Sequence, residues 1–121
     1  MFEWFYDKNG CAVLFRYDDR LISKNGQNLC WIINGYLYSL RSGRHIGWLE
    51  DGKIFDIDNG VLAFSRDANN LPYRPGIGGT PGIPGIPGKP GRPGIGGRYG
   101  RPGYHGYSDV RDVLDYFLRN Q

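Results

Sequence analysis

Four polar side chains, Asp7, Ser23, Ser39 and Asp56, each stand three or four residues ahead of a glycine, Gly10, Gly26, Gly43 and Gly60. They belong to one repeated phrase: Phe5-Tyr6-Asp7-Lys8-Asn9-Gly10, Leu21-Ile22-Ser23-Lys24-Asn25-Gly26, Leu37-Tyr38-Ser39-Leu40-Arg41-Ser42-Gly43 and Ile54-Phe55-Asp56-Ile57-Asp58-Asn59-Gly60. Copied around a closed fold, they would form a ring of two carboxylates and two hydroxyls, a candidate site for a cation or a cluster of sugar hydroxyls. The same residue types are what tight turns need, because Asp, Ser and Asn cap nearby backbone groups and glycine takes positive φ. The spacing favours turn formation.

Other chemistry is sparse. No Ser/His/Asp or Cys/His set, phosphate-binding loop or paired-carboxylate motif stands out, so no catalytic residue, cofactor or metal ligand is assigned and a non-enzymatic protein is expected. Cys11 and Cys30 match no zinc or redox spacing and are read as reduced structural thiols. His45 is read as a strand residue beside a turn and His105 as part of the tail.

The glycine phrases define the elements that carry these residues, since such a period marks a fold made by copying one supersecondary unit. Leu21, Leu37 and Ile54 each lie eleven residues after Gly10, Gly26 and Gly43. Apolar residues fill the third and fifth places after each glycine, Val13 and Phe15, Leu29 and Trp31, Ile46 and Trp48, the period of a strand with one buried face. Asp18-Asp19, Asn34-Gly35 and Asp51-Gly52 supply hairpin turns. Three hairpins are expected, with strands near 12–17 and 20–23, 28–33 and 36–40, 45–50 and 53–57. A fourth unit is split between the domain's ends, 61–66 and 2–7. Pairing these two strands would remove the sheet's edges. The expected fold class is therefore all-β: a closed pseudo-four-fold array of β-hairpins, its centre packed by Phe15, Trp31, Trp48 and Phe64.

This pattern resembles the bacterial family of 4-fold beta flower proteins over roughly residues 1–67. The resemblance rests on the four glycine phrases and on Cys30-Trp31-Ile32 and Gly47-Trp48-Leu49. It implies four β units about a pseudo-four-fold axis, and carries no activity, catalytic residue or cofactor to this chain. Unit four departs from the pattern, with Ala63 and Ser65 in the register that holds Val13 and Phe15 in unit one.

From Gly76 the composition changes. Glycine recurs every third residue through Gly106, and proline fills the third place of a triplet at 81, 84, 87, 90, 93 and 102, which is the collagen-like G-X-Y pattern. Three readings follow: a homotrimeric stalk, a monomeric polyproline-II spacer reaching roughly 90 Å, or an arm folded back along its own β domain. The net positive charge belongs to this arm, where Arg74, Lys89, Arg92, Arg98 and Arg101 face no acidic residue in sequence. With Tyr99, Tyr104 and Tyr107 nearby they could hold a phosphate backbone and stack bases. The charge density is low, and solvation of an extended arm explains it more simply.

The chain's last stretch reads as a short amphipathic helix, with Ser108 as N-cap, Asp109 and Asp112 in the first turn, and Val110, Val113, Leu114 and Phe117 as one apolar stripe. A lone helix of this length needs a surface, supplied by its own β domain, by self-association, or by a protein partner at this candidate interaction stripe. The organisation expected is a four-fold β domain over 1–67, a Gly/Pro-rich arm over 68–106 and a helix over 107–121. No apolar run reaches transmembrane length and the Met-Phe-Glu-Trp start lacks the zones of a secretory signal, so a cytoplasmic protein without a membrane partner is expected. The functional expectation is a structural or protein-interaction module; the alternative is a ligand-binding or enzymatic head that uses the four-fold turns.

Overall fold

Eight strands follow the hairpin boundaries that the repeat dictates: β1 Phe2–Tyr6, β2 Ala12–Tyr17, β3 Arg20–Ser23, β4 Asn28–Ile33, β5 Tyr36–Ser39, β6 His45–Glu50, β7 Lys53–Phe55 and β8 Val61–Ser65, followed by one helix, α1 Val113–Arg119. The computed structural model describes residues 1–104 and 106–121; His105, read above as part of the tail, lies outside the described residues. Each strand pairs antiparallel with its neighbour, and β1 pairs with β8 through Phe5↔Ser65 and Tyr6↔Phe64, closing a barrel. Left-handed backbone makes the turns at both ends. Asp18, Asn34 and Asp51 adopt φ near 50° in the short hairpins, whereas Gly10, Gly26 and Gly43 reach 82°, 88° and 70° in the glycine phrases. In the fourth phrase Asn59, at φ 66°, takes the role expected of Gly60, because asparagine tolerates this region better than most residues.

A bulge recurs once in every unit. The register shifts between Phe5 and Tyr6, Leu21 and Ile22, Leu37 and Tyr38, and Ile54 and Phe55, leaving Val13, Leu29, Ile46 and Leu62 without direct partners on the facing strand. Two consecutive residues can then face the same way at each bulge. The main core draws on all eight strands and includes Val13 with Leu14, Leu29 with Cys30, and Leu62 with Ala63. Phe15, Trp31, Trp48 and Phe64 are absent from it, which corrects the expectation that they pack the centre. They stand on the outer face, paired across strands with Trp4, Tyr38, Phe55 and Tyr6. The period-2 reading failed because the bulge separates the third and fifth places after each glycine onto opposite faces.

Those outer aromatics are buried all the same, Phe15 by Phe2 and Trp4 and the other three under the G-X-Y segment and its flanks, which encircle the barrel as a belt. Its glycines 76, 85 and 94 pass over the turn glycines Gly10, Gly26 and Gly43. Gly78 N–H donates to Gly10 O and Gly96 N–H to Gly43 O, both at 2.9 Å. Between them Arg20 donates to Pro87 O and Asn28 to Gly88 O, and in the last quarter Asn59 donates to Pro102 O. Length and girth agree. Eight tilted strands give a backbone radius of about 8 Å, and a chain packed about 10 Å outside it needs roughly 110 Å for one circuit. The 34 steps from Tyr73 to Tyr107 span about 105 Å in polyproline-II conformation. The arm is thus folded along its own β domain, and the extended spacer does not describe this chain.

The helix closes one end of the barrel. Val113 and Phe117 join the main core, Val110 and Leu114 pack against it half-buried, and α1 lies on β4 and β2. The N-cap is Asp112, whose Oδ1 accepts the Asp115 amide at 3.2 Å, and not Ser108. Ser108 is buried and its hydroxyl donates to Asp56 Oδ2, so this buried bond takes the residue away from the helix. The helix spans seven residues, with Asp115 as its first-turn acid in place of Asp109 and Asp112.

Candidate functional site

Each member of the proposed ring caps its own turn. Asp7 Oδ1 accepts the amides of Asn9 and Cys11, each at 3.0 Å, and Asp56 Oδ1 accepts those of Asp58 and Gly60 at 3.0 and 2.9 Å. Ser23 Oγ does the same for Asn25 and Gln27, and Ser39 Oγ for Arg41 and Ser42. The chain's C-terminal residues reach two of these turns. Ser108 bonds the second oxygen of Asp56, and Gln121 Oε1 accepts from the Leu40 amide and the Ser39 hydroxyl. Tyr116, which the sequence reading passed over, is anchored beside the fourth turn, its hydroxyl accepting from Ile57 N and donating to Ile46 O at 2.6 Å. Burial pushes this phenol up to about 12. Among the described residues no group of three or more His, Cys, Asp or Glu side chains is placed to hold a metal ion.

The basic residues of the belt are directed inward. The Arg92 guanidinium lies 4.7 Å from the centre of the Trp31 ring, Arg98 4.0 Å from Tyr36, and Arg101 4.6 Å from Phe55. Arg74 covers Phe64 at 5.9 Å and donates to the carbonyls of Arg66 and Ala68. Lys89 and Arg92 pair with Asp19, and Arg101 with Glu50. Arg74, Arg92 and Arg101 fall on one nine-residue spacing, 74, 83, 92 and 101, on which Ile83 holds the second place. In that quarter Phe15 is packed by Phe2 and Trp4 instead, with both ring separations 5.0 Å. Arg74-Pro75-Gly76-Ile77-Gly78-Gly79 and Arg92-Pro93-Gly94-Ile95-Gly96-Gly97 show a longer period over the triplets, one nine-residue unit for each quarter of the barrel. That period is the sequence signal that could have placed the arm.

A family model for the 4-fold beta flower protein matches residues 3–117. The chain belongs to the 4-fold beta flower family. The match runs well past the 1–67 of the hairpin repeat and takes in the belt and most of α1. No curated protein and no solved structure matches the chain.

In this beta flower the belt has an outer edge of its own. A Cβ added at Gly76, Gly79, Gly82, Gly85, Gly88, Gly91, Gly94, Gly97, Gly100 or Gly103 would meet nothing within 4 Å. On the barrel the opposite holds, since a Cβ at Gly10 or Gly43 would run into the carbonyl oxygen of Gly76 or Gly94. Ile83, Ile86 and Ile95 stand on the belt at 60%, 37% and 46% exposure. Cys11 is exposed, Cys30 is buried, and both are free thiols. No helix is long and apolar enough to cross a membrane among the described residues.

Proposed function

We propose that this 4-fold beta flower protein is a non-enzymatic structural and protein-interaction module, and that it acts through the outer edge of its belt. The observation that carries this reading is the contrast between the strict glycine phase of the belt and the open space outside ten of those glycines. A single belted chain has no steric use for hydrogen at each of these positions. Close packing of polyproline-II chains does, because only glycine fits where two such backbones meet. The exposed isoleucines add apolar surface to the same segment. The turn carboxylates and hydroxyls are engaged in capping and the belt arginines lie on aromatic rings, which argues against both a ligand-binding ring and a nucleic-acid groove. A second copy of the chain is the partner proposed, since collagen-like edges are self-complementary. The proposed compartment is the cytoplasm, in keeping with two free thiols.

Light scattering on the full chain tests this reading. Self-association gives a mass that is a multiple of 13.7 kDa and falls to the monomer value in a Gly79→Ala/Gly88→Ala/Gly97→Ala variant that keeps its thermal midpoint. A wild-type monomer at high micromolar concentration overturns the self-associating edge, as does an oligomer indifferent to the three alanines.

A further inference from the structure

Independently of that reading, the belt contains one contact that depends on a neutral imidazole. His45 opens β6, is 1% exposed, and has both ring nitrogens engaged. Nε2–H donates to Gly47 O at 2.8 Å, while Nδ1 accepts the backbone N–H of Tyr99 at 3.0 Å. An amide can only donate, so Nδ1 must carry a lone pair, and the proton is confined to Nε2. The ring is enclosed by aromatic side chains. Trp48 meets it edge-on at 4.6 Å, Tyr36 and Tyr38 lie at 5.4 and 5.8 Å, and Tyr99 stacks at 6.0 Å.

We propose that His45 is an acid-released clasp of the belt: protonation at Nδ1 ejects the Tyr99 amide and lifts Arg98 and Tyr99 off the barrel, uncovering Tyr36 and Tyr38 while Arg101 stays over Trp48. A proton on Nδ1 sets one N–H donor against another, so the contact becomes repulsive as well as unbonded. The Arg98 charge favours the same outcome. Arg98 lies over Tyr36 and donates to the Tyr38 hydroxyl, placing a fixed cation beside the imidazole. Arg44 and Asp58 line the same cleft, about 400 Å³ in volume, with His45, Tyr99 and Asn120. There Arg44 donates to Asn120 Oδ1, and the cleft gives water a route to the edge of the clasp. The release is local because anchors stand on either side: Gly96 N–H on Gly43 O, and Arg101 on Asn59 and Glu50.

The direction with pH follows from the buried state. Burial holds His45 below its ordinary value, the Gly47 carbonyl opposes this, and the Arg98 charge adds to the lowering. A depressed histidine contributes stability that is complete above about pH 6.5 and is lost as pH falls through its lower folded-state value. Within that window each unit of acidification raises the released population about tenfold.

Hydrogen exchange of the Tyr99 amide in the full chain, followed by NMR from about pH 7.5 to about pH 4.5, tests the clasp. After correction for intrinsic exchange, protection of Tyr99 is lost below about pH 6.5, while barrel amides such as Leu14 and Leu21 stay protected. His45→Phe keeps an aromatic ring and removes the titration, so the Tyr99 amide exchanges rapidly at every pH. Should that variant not fold, Tyr99→Pro serves, because proline already fills this triplet place six times in the belt and removes the donor without straining polyproline-II backbone. In it the His45 ring titrates at a higher midpoint than in the wild type. Tyr99 protection that survives to the acid limit, joint loss of Tyr99 and barrel amides, or an unchanged His45 midpoint in Tyr99→Pro would each overturn the proposal.

Discussion

The Tyr107 hydroxyl donates to the Tyr73 carbonyl oxygen at 2.6 Å, and the two rings lie 4.7 Å apart, so the belt is fastened end to end. A parallel bridge between Tyr107 and Val61 ties the fastening to β8, with Val61 N–H on Gly106 O and Ser108 N–H on Val61 O. A length of polyproline II has no internal hydrogen bonds to hold its shape. Its conformation here is imposed by the barrel beneath and by this closure, which links the arm's sequence to the chain's overall fold.

Tyr107→Phe keeps the ring contacts and removes the bond, with an expected cost of about 0.5–1.5 kcal/mol. The belt, more than the barrel, should feel it: proteolysis within 74–104 accelerates while the barrel amides keep their protection. Alkali should act in the same way. Burial, with the nearby Tyr73 and Tyr104 phenols, pushes Tyr107 up to about 12. A raised phenol contributes stability that is whole below about pH 10 and is lost as pH climbs through the folded value. Equal cleavage rates for the wild type and Tyr107→Phe would mean that this bond does not hold the belt closed.

Glycines on the two sides of one contact should respond in opposite ways. At Gly10, φ is 82° and a Cβ would meet the carbonyl of Gly76, whereas a Cβ at Gly76 points into empty space. Gly10→Ala combines left-handed strain of about 1–2 kcal/mol with displacement of the belt, so it should lower the thermal midpoint clearly. Gly76→Ala in dilute monomeric protein should stay within about 0.5 kcal/mol of the wild type. Thermal melts of Gly10→Ala and Gly76→Ala, repeated for Gly43→Ala and Gly94→Ala, check the asymmetry; matching losses on both sides would contradict it.

The hairpins were legible because their signals are local: Asn34-Gly35 and Asp51-Gly52 name their turn type, and the glycine phrases recur in each unit, in the fourth with Asn59 in the place of the turn glycine. The barrel's inside and outside were not. Phe15 and Trp31 sit two residues from Val13 and Leu29, and only the bulge at the third place separates the faces. A bulge leaves no residue signature when both faces are apolar, as here, where a belt covers the outer one. The fate of the arm was hidden for a related reason. A three-residue period reports backbone conformation, while the nine-residue spacing of Arg74, Arg92 and Arg101 reports what that backbone lies on. Ser108 resembled a cap because its bond to Asp56 is non-local.

At the helix, the division between core and surface should be sharp. Phe117 is 0% exposed and shares the main core with Val113, whereas its neighbour Leu118 is 51% exposed. Phe117→Ala should cost about 3–5 kcal/mol, as expected for emptying a buried aromatic site, and Leu118→Ala should lie within about 0.5 kcal/mol of the wild type. Urea denaturation of both variants checks this. A small loss at Phe117 would mean that the helix is undocked in solution and its apolar stripe is available to a partner.

The four turn residues allow the ligand ring to be separated from plain capping. Asp7→Asn retains an oxygen for the amides of Asn9 and Cys11, so as a turn former it should remain within about 0.5 kcal/mol of the wild type. Asp56→Ala is different. It strips acceptors from Asp58 N, Gly60 N and the buried Ser108 hydroxyl together, and a buried donor left unpaired costs about 1–3 kcal/mol. Asp56→Asn, which keeps one oxygen, should fall between the two. Calorimetric melts of the three variants with and without millimolar calcium decide the matter. Capping predicts graded losses that calcium does not alter, whereas a cation ring predicts that calcium stabilises the wild type and that Asp7→Asn abolishes the effect.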